Sequence, residues 1–452
     1  MQFNNFKHME NIKILSLSIL VTIIMSIGLY ASSQTIIVAA LLLFTLILLF
    51  SKKKMLFPLL LFFLPWSPVL KISPDSFTFF TIVIPLVFIF MLIQRRGLEF
   101  KKTMLVLIST LIVYTLITKL AMNSLSISSV FSYTYFIFLL FFIPFYLSNF
   151  WKELDFKICA LFMTSGVLTA CFSSMLLLDV PEMSKYINVD IERAGFARLS
   201  GFYGDPNFYS AQIIMTIAVI ITLITKSNNK IKNSLLIGTL FLLIYFGLLS
   251  VSKMFLLSLT GIFILWGISF MIQKQNIVSK LTIYLLILST ISFIFFSNVF
   301  STQIDQYIYR FTNHTLTTGR FDLQIMYIEY LRDNPNVLFF GNGTSNAYVN
   351  SRAAHNTFLQ IVWQLGILGS LLLVIWQRIS FAPMKVKEKL IVPYKLVSII
   401  LISAYFLPWF ALDFMYFDEF FYYLIMTYLG INFLKQKEIL VEPHLDRIKI
   451  KR

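Results

Sequence analysis

The sequence predicts an all-α, polytopic integral membrane protein, and three observations predict it. Of its 452 residues 58% are hydrophobic and 13% charged, against roughly 25% charged in soluble domains. Apolar runs of about 18 residues or more recur along the whole length, enough to cross a hydrocarbon core ~30 Å thick. Lys and Arg gather between alternate runs, the pattern of short cytoplasmic loops.

Taken in order, the chain reads as about 12–14 spans: 12–30, 35–50, 55–70, 77–94, 103–121, 130–148, 158–177, 207–225, 234–250, 254–272, 281–299, 355–377, 396–412 and 418–434. The first follows Lys7 and Lys13, so a signal peptide is the alternative. The run is long for that, and its cleavage motif is weak. The span 55–70 is interrupted by Pro58, Pro65 and Pro68, and with the last pair it is the least regular. Cys159 and Cys171 share one span and suggest neither a disulfide framework nor a zinc site.

With the N-terminus inside, most of the 37 basic residues fall on one side, among them Lys52–Lys54, Lys152, Lys157, Lys226, Lys230, Lys232, Arg378 and Lys395. An odd error in the number of spans would scramble that segregation. Both termini are therefore expected in the cytoplasm, and two longer loops, 178–206 and 300–354, face outward. The net charge of +16 is spread along the chain, whereas a nucleic-acid binder gathers it on one folded domain; no nucleic-acid partner is expected. No internal repeat, low-complexity stretch or soluble domain is visible. The chain reads as a single membrane domain ending in a basic cytoplasmic tail, 435–452, that lies near anionic lipid.

The outer loops hold the least lipid-like residues. In the first, Asp205-Pro206-Asn207 is a helix start, with Asp as N-cap and Pro at the first helical position. Arg193 and Arg198 precede it. Backbone N–H groups at a helix N-terminus favour an anion, and an arginine beside them suits phosphate; the plainer reading is a loop arginine meeting lipid headgroups or Glu192. The turn Ser250-Val251-Ser252-Lys253 is short enough to place Lys253 at or just inside the outer interface. A lysine there either snorkels or serves function. Lys119, at its own helix end, is expected to snorkel.

In the second loop Gly319-Arg320 opens an amphipathic helix reaching Arg332, with Phe321, Ile325, Ile328 and Leu331 near one face. Asp322 suits the helix dipole and Arg320 does not, which points to an anionic partner, although one misplaced surface charge costs only ~0.3–1 kcal/mol. Gly341-Asn342-Gly343 makes a turn. His355-Asn356 lies at the outer mouth of the next span, where histidine is suited to moving protons near neutral pH; a lone histidine is more often structural. Asp413, Asp418 and Glu419 are acids near the last outer turn, or residues facing water.

The run RLSGFYGDPN from Arg198 to Asn207, the Ser252-Lys253 turn, Gly319-Arg320, Gly341-Asn342-Gly343, His355-Asn356 and QLGILG from Gln364 to Gly369 occur in an order that resembles the O-antigen ligase and polymerase superfamily of bacterial envelope proteins. The resemblance covers roughly residues 195–370. It implies metal-independent, cofactor-free glycosyl transfer at the outer face of the cytoplasmic (inner) membrane, from a saccharide carried on undecaprenyl diphosphate. By resemblance Arg198 and Arg320 grip the diphosphate, and His355 acts on the acceptor hydroxyl as general base or positions it. Asn207, Asn356, Gly319, Gly341 and Gly343 support them. Lys253 stands where the ligases typically have arginine, which keeps the charge and loses bidentate phosphate geometry. A chain-length regulator is a possible protein partner.

The chemistry fits the residues. Breaking a sugar–diphosphate bond develops negative charge that fixed cations stabilise without a metal, and no DxD-type carboxylate cluster appears in the outer loops. Polymerisation of lipid-linked repeat units is the favoured reading. Ligase-type transfer to a different acceptor is the alternative. A flippase or transporter fits less well, because the ionisable residues cluster toward one face rather than in a central cavity.

Overall fold

The computed structural model describes residues 2–70, 78–94, 101–121, 127–189, 197–227, 229–272, 301–313, 319–343, 349–350, 352–386 and 388–436. The predicted span 281–299, Arg193 and the tail beyond 436 lie outside the described residues. Within them the chain is all-α and multi-pass. Helices α1 (Gln2–Tyr30), α2 (Gln34–Phe50), α3 (Lys53–Phe63), α4 (Phe79–Gln94), α5 (Lys102–Ala121), α6 (Ile127–Phe150) and α7 (Phe156–Leu176) precede the first long loop. That loop carries the short α8 (Pro181–Ile187) and a two-residue antiparallel pairing of β1 (Asn188–Val189) with β2 (Arg198–Leu199). Then come α9 (Pro206–Lys226), α10 (Lys230–Leu249) and α11 (Lys253–Ile272). The second loop holds α12 (Ser301–Asn313), α13 (Arg320–Asp333) and α14 (Pro335–Phe340). The chain closes with α15 (Thr357–Ser380), α16 (Val392–Phe406) and α17 (Asp418–Lys435).

Among the described residues nine helices are long and apolar enough to cross a membrane, and Gln34–Phe50 and Phe79–Ile93 are shorter apolar helices. Each predicted span that falls on described residues lies on helical structure. The proline-broken one does so in two pieces: α3 tolerates Pro58, and Pro65 and Pro68 fall in a 3-10 stretch, Leu64–Leu70, that continues it.

Helix α9 is the centre of the bundle. Its buried residues run from Pro206 to Ile224 on every face, as a helix apolar all round requires, and it packs against α7, α10, α11, α16 and α17. Lipid is as apolar as leucine, so helix association in a bilayer rests on close packing and polar contacts rather than on burial alone. Gly166 illustrates the packing: a Cβ there would stand 2.0 Å from the Phe62 carbonyl oxygen, so α7 and α3 touch backbone to backbone.

Polar contacts sort the helix ends into two opposite faces. On one, Lys52 pairs with Glu10 at 2.7 Å, and the Tyr146 hydroxyl donates to the Lys53 carbonyl. On the same face Lys157 and Lys226 lie over the Phe433 ring, and Lys435 donates to the Val386 carbonyl. The early part of α1 and the end of α17 thus share a face rich in lysine. The other face holds the α10–α11 turn, the two long loops, and the starts of α9, α15 and α17.

Candidate functional site

The first group of polar residues is built on the α10–α11 turn. Its tightness depends on Gly247, where a Cβ would stand 2.0 Å from the Phe255 ring. Val251 sits at φ +46°, a left-handed conformation that is a genuine outlier for a β-branched residue and costs of order 1–3 kcal/mol. The turn is tied to α9 at two points: Ser250 Oγ lies 2.9 Å from Ser210 Oγ, and Ser252 Oγ donates to Asn207 Oδ1 at 2.9 Å. Its carbonyls then receive two guanidinium groups. Arg198, buried on β2, donates from Nε to the Ser250 carbonyl at 3.1 Å, and Arg310 of α12 donates to the Val251 carbonyl. Lys253, only 6% exposed, does not snorkel; its ammonium lies 5.0 Å from the centre of the Phe311 ring, one residue beyond Arg310.

Tyr307 completes this group. It is 7% exposed, and burial pushes its phenol up in pKa while Arg198 and Arg310 pull it down. Its hydroxyl lies beside the Ser250 side chain and the Ser252 backbone, which also pull the phenol down. Neither Tyr307 nor Arg310 was expected from the sequence. The signal was there: Ile304, Tyr307 and Phe311 recur at helical spacing, with Arg310 beside them.

The second group surrounds the start of α15. Asn356 is its N-cap, accepting from the backbone N–H groups of Phe358 at 3.0 Å and Leu359 at 3.2 Å. Asp413 reaches the same turn from the far side and accepts from the N–H groups of His355 at 3.2 Å and Asn356 at 2.9 Å. Thr357 donates to the Leu412 carbonyl and accepts from the Phe414 N–H, so the 411–417 loop is strapped along the helix start. His355 is half-buried and held at φ +47°, another left-handed residue, in a conformation for which histidine is enriched. Arg320, half-buried at the first position of α13, lies within electrostatic reach of Asp205 and Asp413. Burial lowers its pKa, and the two carboxylates oppose that. Burial likewise raises the Asp413 carboxyl above the ordinary aspartate range, while His355, the two backbone N–H groups and Arg320 pull it back.

The two groups meet at the start of α9. Asp205 faces Arg320 and Asn207 faces Ser252, two residues apart, which is about 7 Å of chain at most. One expectation is corrected here. The N–H groups of Asn207 and Phe208, which favour an anion when open, are bonded to the Asp205 carboxylate at 2.6 and 3.4 Å. The cations nearby, not the helix end, are what an anion would meet.

A backbone lock holds the second loop to α15. Gly341 (φ +79°, ψ 165°) and Gly366 (φ +67°, ψ 179°) adopt conformations essentially reserved for glycine. A Cβ on Gly341 would stand 2.3 Å from the Gln364 carbonyl oxygen, and one on Gly366 2.4 Å from that of Phe339. Gly366 breaks α15, and partners from elsewhere take carbonyls around the break. The Asn342 N–H donates to Trp363 at 2.7 Å, and the Tyr114 hydroxyl lies between Leu365 O at 2.7 Å and Phe340 O at 2.8 Å. Gly343, at φ +77°, ends the same turn.

Helix α13 docks through Tyr327 and Leu331 onto Trp363, Val337, Val349 and Ala354. Of the predicted apolar face only Leu331 is buried; Phe321, Ile325 and Ile328 are exposed, because the second turn packs through Tyr327 instead. Gly319, at φ +78°, caps α13 and starts it at Arg320 as the sequence predicts.

Two other expectations change. Asp418 and Glu419 do not face water: both are buried, and the hydroxyls of Tyr135 and Tyr203 donate to them at 2.6 and 2.5 Å, which fastens α6 and the first long loop to α17. Lys119 does not snorkel. It is 1% exposed, with its ammonium 5.2 Å from the Tyr133 ring centre. Among the described residues no group of three or more His, Cys, Asp or Glu is arranged to hold a metal ion. In comparisons with protein families, curated proteins and solved structures, nothing matches the chain.

Proposed function

We propose that this protein polymerises saccharide repeat units carried on undecaprenyl diphosphate, by metal-independent glycosyl transfer at the outer face of the bacterial cytoplasmic membrane. One observation carries the reading: cations (Arg198, Lys253, Arg320) and a proton-transfer candidate (His355 beside Asp413) gather on one face of a membrane bundle, opposite the lysine-rich face. Under the positive-inside rule the lysine-rich face is cytoplasmic, which puts both termini inside and the site outside. A donor that never leaves the bilayer explains why the site sits on helix starts at membrane level. The order of motifs resembling the O-antigen ligase and polymerase superfamily supports the same chemistry.

In this reading the fixed cations stabilise the charge that develops on the departing diphosphate. His355 takes the proton of the acceptor hydroxyl, or holds that hydroxyl in line, with its backbone set by Asp413. Ligase-type transfer to a different acceptor uses the same parts.

The test is a gel of envelope and carrier-linked glycans from a deletion strain beside its parent. Loss of the long-chain ladder with single repeat units persisting supports polymerisation. Full-length chains stranded on the carrier make the protein a ligase, and single units trapped on the inner leaflet make it a flippase. Arg320→Ala should cut product by about 10²–10³-fold with membrane levels unchanged; near-normal product refutes its role.

A further inference from the structure

Helices α13 and α14 belong to the second long loop, yet their contacts reach well inside a span. The Tyr114 hydroxyl of α5 joins the Phe340 carbonyl, at the end of α14, to the Leu365 carbonyl of α15. Leu365 is eight residues beyond Thr357, the first residue of α15, which is about 12 Å along a helix rising ~1.5 Å per residue. A hydrocarbon core ~30 Å thick takes ~20 residues. Since α15 has 24, Leu365 lies within the apolar layer in any register of that helix. At the other end of the pair, Gln324 of α13 donates to the Phe410 carbonyl at 3.4 Å, and Phe410 is the last residue of the span Val392–Phe410. The two helices thus run from the end of one span into the depth of another.

Their side chains match that placement. Helix α14 reads PNVLFF and holds no charge. Phe339 and Phe340 are 50% and 48% exposed, as exposed as Val113 on α5 and Leu371 on α15, the two helices that hold the end of α14. The non-helical turn that follows is covered instead: Gly341 and Gly343 are buried and Asn342 is half-buried, with its N–H bonded to the Trp363 carbonyl. Irregular backbone is tolerated at membrane depth only where protein covers it.

Helix α13 has three sectors at 3.6 residues per turn. Tyr327 and Leu331 pack on the bundle; Phe321, Ile325 and Ile328 form an exposed apolar stripe beside them; Asp322, Glu329 and Asp333 form an exposed acidic one. Arg332 ends the apolar stripe and pairs with Asp333 at 3.0 Å. A helix with one apolar and one charged exposed face lies in the membrane interface, its apolar face among the acyl chains.

We propose that α13 and α14 form a re-entrant arm, with α13 in the interface and α14 in the acyl-chain region of the leaflet at the start of α15. Phe321, Ile325, Ile328, Phe339 and Phe340 are its lipid contacts. The occupant of this face is bilayer lipid because the face continues the lipid-facing surface of α5 and α15 at the same depth. The inference needs only the spans and stands apart from the proposed glycosyl transfer.

The experiment places single nitroxide labels on the full-length protein in phosphatidylcholine vesicles and compares collisions with oxygen, which enters the bilayer, and with a water-soluble nickel chelate. Phe339→Cys, Ile328→Cys and Phe321→Cys test the arm, Leu371→Cys reports a span and Glu329→Cys reports water. All five positions are exposed, so the packed faces stay intact. Cys159 and Cys171 are buried, and the labelled wild type measures their background. The oxygen-to-nickel ratio should be highest at Leu371 and Phe339, lower at Ile328 and Phe321, and severalfold lower again at Glu329. A ratio at Phe339 equal to that at Glu329 overturns the arm. A lipid-like ratio at Phe339 with water-like ratios at Ile328 and Phe321 overturns the interfacial placement of α13 and supports that of α14. Phe339 and Ile328 shielded from both reagents, with Leu371 open to oxygen, overturns the lipid contact in favour of a second copy of the chain.

Discussion

Two arginines at the same end of the bundle keep different company. Arg198 shares the α10–α11 turn with Lys253 and Arg310, while Arg320 lies in the field of two carboxylates, one of which holds the backbone of His355. A group of cations holds negative charge. A cation, two carboxylates and an imidazole can pass a proton while keeping local charge near balance. The difference teaches that an arginine on this face does not report its surroundings by residue type: Arg198 stands among cations and Arg320 among carboxylates.

The largest effect should come from His355→Ala, with turnover falling about 10²–10⁴-fold, the usual worth of general acid–base catalysis, and farnesyl diphosphate binding unchanged. If binding collapses instead, the two groups are one site and the comparison fails. Asp413→Asn should be next. It keeps the shape and loses the charge that accepts two N–H bonds, worth about 1.5–3 kcal/mol or roughly ten- to a hundredfold in rate. The same residue sets a pH dependence. Burial raises its carboxyl, so the ionised form that holds His355 is lost as pH falls through a value above the ordinary aspartate range. A pH–rate profile should show an acid limb there in the wild type and none in Asp413→Asn; an unchanged limb assigns it to another group. Smallest is Tyr114→Phe, which strips a donor from the Gly341–Gly366 lock and should cost about 1–3 kcal/mol of stability, read as a lower melting temperature, with activity per folded molecule near normal. A large activity loss there would make the lock part of the chemistry rather than its support.

Much of this architecture was legible because it is local. Apolar runs place the spans, Asp205-Pro206 and Asn356 cap their helices as short-range rules dictate, and Ser250–Lys253 is a tight turn. The rest depends on contacts between distant segments. Asp413 meets His355 across 58 positions and Tyr114 meets Leu365 across 251, and no periodicity encodes such pairings. The GNG turn shows the limit best. Its glycines read as a loop feature, yet Gly341 is needed because another glycine, Gly366, presses against it from inside a helix. Lys119 departs from expectation for a related reason: snorkelling needs an open interface, and Tyr133 of the neighbouring helix closes it. Arg310 has no local signature, because the turn it bonds lies 59 positions away.

The start of α9 has a further consequence. Asp205 and Asn207 anchor the two groups to one short piece of backbone, at the head of the most enclosed helix in the molecule. Their separation is therefore a property of the peptide chain and not of the surrounding lipid. Bilayers of different thickness tilt and shift peripheral helices, but they do not stretch two residues. The spacing between the two groups should survive transfer of this protein into a thinner or thicker host membrane, which makes it portable between expression hosts in a way that a site assembled across separate lipid-facing helices would not be.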